Sequence, residues 1–93
     1  MKTLQNKTIL LAGESITYAQ LMAQCLNGAA EGFSIDEMRR RIRVMDAIEK
    51  AGNDGKEIEL EDHDYQTLVS ALDIRWRLLS REIVEFVDYV QGV

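Results

Sequence analysis

Arg39, Arg40, Arg41 and Arg43 form the densest cationic cluster in the chain. On a helix of about 3.6 residues per turn these four spread over most of a polar face, with Arg39 and Arg43 stacked at i,i+4. Like charges at that spacing repel unless something answers them. A phosphate backbone would do so, as would the acids of a neighbouring subunit or acids of the same fold. Arg75 and Arg77 add a second basic pair further along. The acidic counterpart is a segment holding Asp54, Glu57, Glu59, Glu61, Asp62 and Asp64. A molecule with separate basic and acidic patches can meet copies of itself or a charged partner. The formal net charge of −5 opposes generic attraction to nucleic acid. The arginine helix also opens on Asp36 and Glu37 and lacks the glycine turn of a helix-turn-helix pair. The candidate interaction residues are therefore Arg39, Arg40, Arg43, Arg75, Arg77, Glu57, Glu59 and Glu61, and the expected partner is a protein, either a second copy of the chain or another protein. A nucleic-acid-binding regulator using Arg39, Arg40 and Arg43, with Arg75 and Arg77, is the alternative. A further alternative is an inhibitor that presents residues 57–64 to a host protein as a nucleic-acid mimic.

The other reactive side chains stand alone. Gly13-Glu14-Ser15 lacks the second glycine of a nucleophile elbow, and the one histidine, His63, lies far along the chain from that serine. A nucleophilic serine needs a base within hydrogen-bond reach. His63 between Asp62 and Asp64 reads as an exposed residue near a helix start, since a structural metal asks for more nitrogen or sulfur ligands than this chain owns. A calcium loop with Gly55 at its sixth position would put Lys50, Gly52 and Asp54 at its first, third and fifth, so two of three leading oxygen ligands are missing. Cys25 falls on an apolar stripe beside Leu26 and reads as buried packing, because a reactive thiolate wants exposure and a cationic neighbour. No catalytic residue, cofactor or metal ligand is expected.

These residues must be positioned by a small number of elements. Thr8, Ile9, Leu10 and Leu11 before Ala12-Gly13 predict a short strand and a turn, with Ile16-Thr17 returning as its partner. Thr17-Tyr18-Ala19-Gln20 fits a capping box, followed by a helix with Leu21, Met22, Cys25 and Leu26 on one face. Asn27-Gly28 stops it. Ser34-Ile35-Asp36-Glu37 is a second capping box, with Phe33 placed to staple onto Met38. Ile35, Met38, Ile42, Met45 and Ile48 predict the buried stripe of a helix running to about Ala51. Asp36 with Arg40 and Glu37 with Arg41 are expected as i,i+4 pairs. Glu57 to Glu61 alternates as a half-buried strand, long enough to pair with the strand at 8–12, with pairing inside the chain or across subunits left open. Asp62 then caps a third helix carrying Tyr65, Leu68, Val69, Leu72, Trp76 and Leu79, and Ser80 caps a fourth with Ile83, Phe86, Val87 and Val90 inside. Trp76 is expected mainly in the core near Ile83, Phe86 or Val87. The fold class is thus mainly α: about four helices with a small two- or three-stranded antiparallel sheet.

Ninety-three residues suit one domain. The longest apolar run, Ile9 to Ala12, is far short of a ~20-residue membrane span. One cysteine excludes an internal disulfide, and with no export signal in view a cytoplasmic protein is expected.

The stretch from Gly32-Phe33-Ser34-Ile35-Asp36-Glu37-Met38 through Arg39-Arg40-Arg41-Ile42-Arg43-Val44-Met45-Asp46-Ala47 resembles short proteins of tailed bacteriophages and prophages. So do Ile58-Glu59-Leu60-Glu61-Asp62, Arg75-Trp76 and Ile83-Val84-Glu85-Phe86-Val87-Asp88. The resemblance implies a small accessory protein encoded near virion or assembly genes, in the host cytoplasm or in the virion. It rests on caps and core residues and implies no active site.

Overall fold

The computed structural model describes residues 1–29, 31–51, 57–76 and 79–93. The expected stop at 52–55, the loop tested for calcium, Asp54 and Arg77 lie outside them. The element order is β1 (Lys2–Gln5), β2 (Thr8–Leu11), β3 (Glu14–Thr17), α1 (Tyr18–Leu26), α2 (Ile35–Ala51), β4 (Glu57–Leu60), α3 (Asp62–Ala71) and α4 (Arg81–Gln91). The four helices are those expected. The strands divide into two separate antiparallel pairs, so helices and small sheets share the fold.

β2 and β3 form a hairpin in which Leu11 faces Glu14 and Thr8 faces Thr17. Its two-residue loop, Ala12-Gly13, holds both residues at positive φ, 51° and 82°. That geometry matches the right-handed twist of the flanking strands. β2 pairs only with β3 among the described strands, and β4 does not join it. It pairs instead with β1, bringing Leu4 opposite Ile58 and Lys2 opposite Leu60. β1 has a single apolar residue, Leu4, and so gives no alternation to read. Glu57 and Glu59 point outward while Ile58 and Leu60 are buried, as the alternation of β4 predicts.

The N-terminus of α1 is fully serviced. Thr17 Oγ1 accepts from the Gln20 N–H while Gln20 Oε1 accepts from the Thr17 N–H, completing the capping box. The Tyr18 N–H donates to the Lys7 carbonyl. The Ala19 N–H donates to Oδ1 of Asn6, a buried side chain between β1 and β2. All four donors that a helix start leaves orphaned, the N–H groups of Thr17, Tyr18, Ala19 and Gln20, are therefore satisfied, two of them by the link between β1 and β2.

Leu4, Leu21, Met22, Cys25, Val44, Ile58, Leu68, Phe86 and Val90 are fully buried in one cluster that draws on every helix and on the β1–β4 pair. Tyr18 meets Phe86 edge-to-face at 5.0 Å and Tyr89 at 5.6 Å, joining α1 to α4. The Tyr65 hydroxyl donates to the Val90 carbonyl at 2.6 Å, tying α3 to the end of α4.

Three expectations are corrected here. α3 ends at Ala71, with Leu72 as its cap, so Trp76 and Leu79 do not continue its stripe. Trp76 packs against the core only partly buried, and Leu79 is fully exposed. The cap of α3 is Glu61, with no side-chain hydrogen bond, and Asp62 is already helical. In α2, finally, the buried residues are Val44 and Ile48, while Ile35, Met38 and Ile42 face solvent.

Candidate interaction surface

α2 is a 17-residue helix that uses only part of its length for the core. Its C-terminal half lies against α3 and β4 through Val44 and Ile48. Its N-terminal half is anchored to α1 by Arg41. The Arg41 side chain, 14% exposed, forms an ion pair with Glu37 at 2.9 Å. The same guanidinium donates to the Leu26 carbonyl at 2.8 Å and reaches the Cys25 carbonyl at 3.4 Å, serving the open C-terminal end of α1. It also lies over the Phe33 ring at 5.0 Å. The Glu37–Arg41 pair is as expected, but its partner carbonyls were not foreseeable from helix periodicity. Asp36 pairs with Arg39 at 3.9 Å rather than with Arg40. Ser34 Oγ caps α2 by accepting from the Glu37 N–H.

With Arg41 on the inner side, the outward stripe is Ile35, Met38 and Ile42, which are 61%, 40% and 51% exposed. Their spacing of three and four residues keeps them on one face. Between this stripe and the end of α1 runs a shallow cleft of about 60 Å³, lined by Leu26, Phe33, Met38, Ile42 and Met45. Arg39 borders the stripe on its solvent side by helical spacing.

The eight candidate residues separate into groups. Arg39 is exposed and its ion pair with Asp36 is long, between two side chains more than three-quarters exposed. Arg43 turns the other way, toward Asp64 at 3.6 Å, and touches the His63 ring, which itself lies 3.4 Å from Asp64. Arg43 thus answers part of the acidic segment within the molecule. Arg40 lines a hollow with Glu37, Arg41 and Ser70, and Arg75 lines the adjoining one with Arg41, Ser70 and Asp73. The two acids in those hollows keep them from being a purely cationic surface. Glu57, Glu59 and Glu61 do come together, sharing one groove with Asp64 and Lys50. Arg77 is outside the described residues.

Cys25 is buried as expected, and burial pushes its thiol up to about 12, only partly offset by Arg41. Burial, and then the Glu85 charge, raise the Tyr18 hydroxyl above its ordinary value. Glu82 is held below the usual carboxylate range by its own backbone N–H and by the Ser80 hydroxyl. Among the described residues no group of three or more His, Cys, Asp and Glu is placed to hold a metal ion, and no helix is long and apolar enough to cross a membrane.

The stripe was present in the sequence as an apolar repeat, but periodicity alone assigned it to the core. The signal against that assignment was the repeat itself. Ile35, Met38, Ile42 and Met45 lie along one stripe, whereas Arg41, Val44, Ile48 and Ala51 form a second at the same spacing. A helix packed on one side buries only one of them. Comparison of the chain with protein families, with curated proteins and with solved structures finds no significant match.

Proposed function

We propose that this chain is a non-catalytic interaction protein of the phage accessory type, working in virion structure or assembly by docking to copies of itself. The observation that carries this reading is the uncovered stripe Ile35, Met38 and Ile42 beside Arg39, on a helix that packs into the core through Val44 and Ile48 on another face. Large apolar side chains gathered on one exposed face, rimmed by charge, mark interaction sites more often than isolated ones do. The resemblance of residues 32–47 to short tailed-phage proteins points the same way, since those residues include the whole stripe. Such a protein acts in the host cytoplasm or becomes part of the virion.

Light scattering coupled to size-exclusion chromatography, over a concentration series at low and high salt, tests the reading. The expected outcome is an average mass that rises above the monomer with concentration. A monomer at every concentration and salt overturns it.

A further inference from the structure

The chain's one histidine stands where a base from another helix and an acid of its own converge. His63 lies in the first turn of α3, and Asp64 follows it on the same helix. Asp64 is only 7% exposed, so its carboxylate is largely withdrawn from water. Such withdrawal costs free energy unless a cation answers it. Arg43 reaches across from α2 to within 3.6 Å of Asp64 Oδ1, and His63 Nε2 lies 3.4 Å from the same oxygen. The Arg43 guanidinium also touches His63 Nε2 itself.

That last contact fixes the state of the ring. A guanidinium has five donors and no acceptor, so Nε2 must accept through a bare lone pair. His63 is therefore neutral in this arrangement and carries its proton on Nδ1, the tautomer that free histidine favours less. The charges on the neighbouring elements have other places or partners. Lys50 of α2 lines the groove beyond Asp64 with Glu57 and Glu59 of β4 and with Glu61. Asp62 is engaged by the N-terminal amine at 3.2 Å. α1, which also packs on α3, carries no charged side chain.

Histidine takes up a proton between about pH 5 and 8. A proton on His63 Nε2 turns the acceptor of the Arg43 hydrogen bond into a donor and sets two cations in contact. Nε2–H has a new acceptor at hand, since Asp64 Oδ1 is already 3.4 Å away. Arg43, whose side chain is 56% exposed, has water to turn to. We propose that Asp64 exchanges partners with pH: Arg43 bridges neutral His63 and Asp64, whereas protonated His63 takes the carboxylate and releases Arg43 to solvent. In mild acid the released guanidinium joins Arg39 and Arg40 on the exposed polar face of α2. The exchange takes place within one molecule and is independent of the self-association reading.

Long-range proton–nitrogen correlation spectra of the full chain read the protonation of each ring nitrogen, and a single histidine makes the assignment direct. At about pH 8 wild type is expected to show Nδ1–H and a bare Nε2, and Arg43→Ala to return the ring to the Nε2–H form. The Arg43 Nε–H resonance is identified by its loss in that variant. Its heteronuclear Overhauser effect is expected to show an ordered side chain at about pH 8 and a freely mobile one at about pH 5. His63→Gln, at an exposed position, keeps an acceptor that does not titrate, so Arg43 should stay ordered at both pH values. A wild-type ring in the Nε2–H form at the higher pH overturns the proposal, as does an Arg43 equally mobile at both. Release of Arg43 in acid from His63→Gln as well would assign the switch to a carboxylate and equally overturn it.

Discussion

At Cys25 the packing of one side chain carries a pH dependence. The thiol is buried in the folded chain and its deprotonation is displaced to about 12 by burial, against an ordinary value of 9.0. The folded state therefore keeps a proton that the unfolded chain loses first. This contribution is complete below pH 9 and is lost as pH climbs from 9 towards 12. The slope reaches about 1.4 kcal/mol per pH unit for one such proton. Urea denaturation of wild type and Cys25→Ala between pH 7.5 and 10.5 should show the variant less stable at neutral pH, with the gap narrowing above pH 9. A gap that stays constant would show that the thiol does not titrate on unfolding. That Cys25 is buried was legible in the sequence, because it lies on the repeat of Leu21 and Leu26. The roles of Asn6 and Arg41 were not. Both act on backbone groups of α1 from outside it, Asn6 on the Ala19 N–H and Arg41 on the Leu26 carbonyl. Such partnerships are created by chain folding and leave no local spacing to detect.

Among the elements, the β2–β3 hairpin stores strain at a single position. Ala12 has φ of 51°, a conformation that costs a residue with a Cβ roughly 1–2 kcal/mol. The residue is exposed and packs on nothing that a larger polar side chain would lose. Ala12→Asn, which creates the Asn-Gly pair favoured in such turns, should stabilise the fold by about 0.5–1 kcal/mol. Differential scanning calorimetry should record a melting temperature a few degrees higher. A lower one would mean that the loop is not held in this turn. Strands and helices with their own local signals were legible: the hairpin from Ala12-Gly13, α1 from its capping box, β4 from its alternation. α3 was read too long because Leu72, Trp76 and Leu79 continue its spacing by coincidence after the helix has ended. β1 went unread because Lys2, Thr3 and Gln5 leave Leu4 as its only apolar residue.

Across the whole molecule, stability depends on the chain closing on itself. β1 lies on β4, the Gln5 N–H donates to the Tyr89 hydroxyl at 2.8 Å, and Lys2 Nζ reaches the Val93 carbonyl at 3.2 Å. Leu4 is the fully buried side chain at that junction. Leu4→Ala should cost about 2–5 kcal/mol, a large share of the ~5–15 kcal/mol that holds a small domain together. A loss under about 1 kcal/mol in guanidinium denaturation would mean that β1 is dispensable to the core. The partition into helices and short strands was legible at this scale, but the pairing of β1 with β4 was not, since register between distant strands is a property of the folded core. That same pairing has a consequence during synthesis. β1 leaves the ribosome well before its partner β4, which follows only after the hairpin, α1 and α2 have been made. At about 5–20 residues per second, Leu4 waits several seconds for Ile58. Throughout that interval a nearly polar strand is safer in the nascent chain than an apolar one, which would be free to pair with the wrong edge.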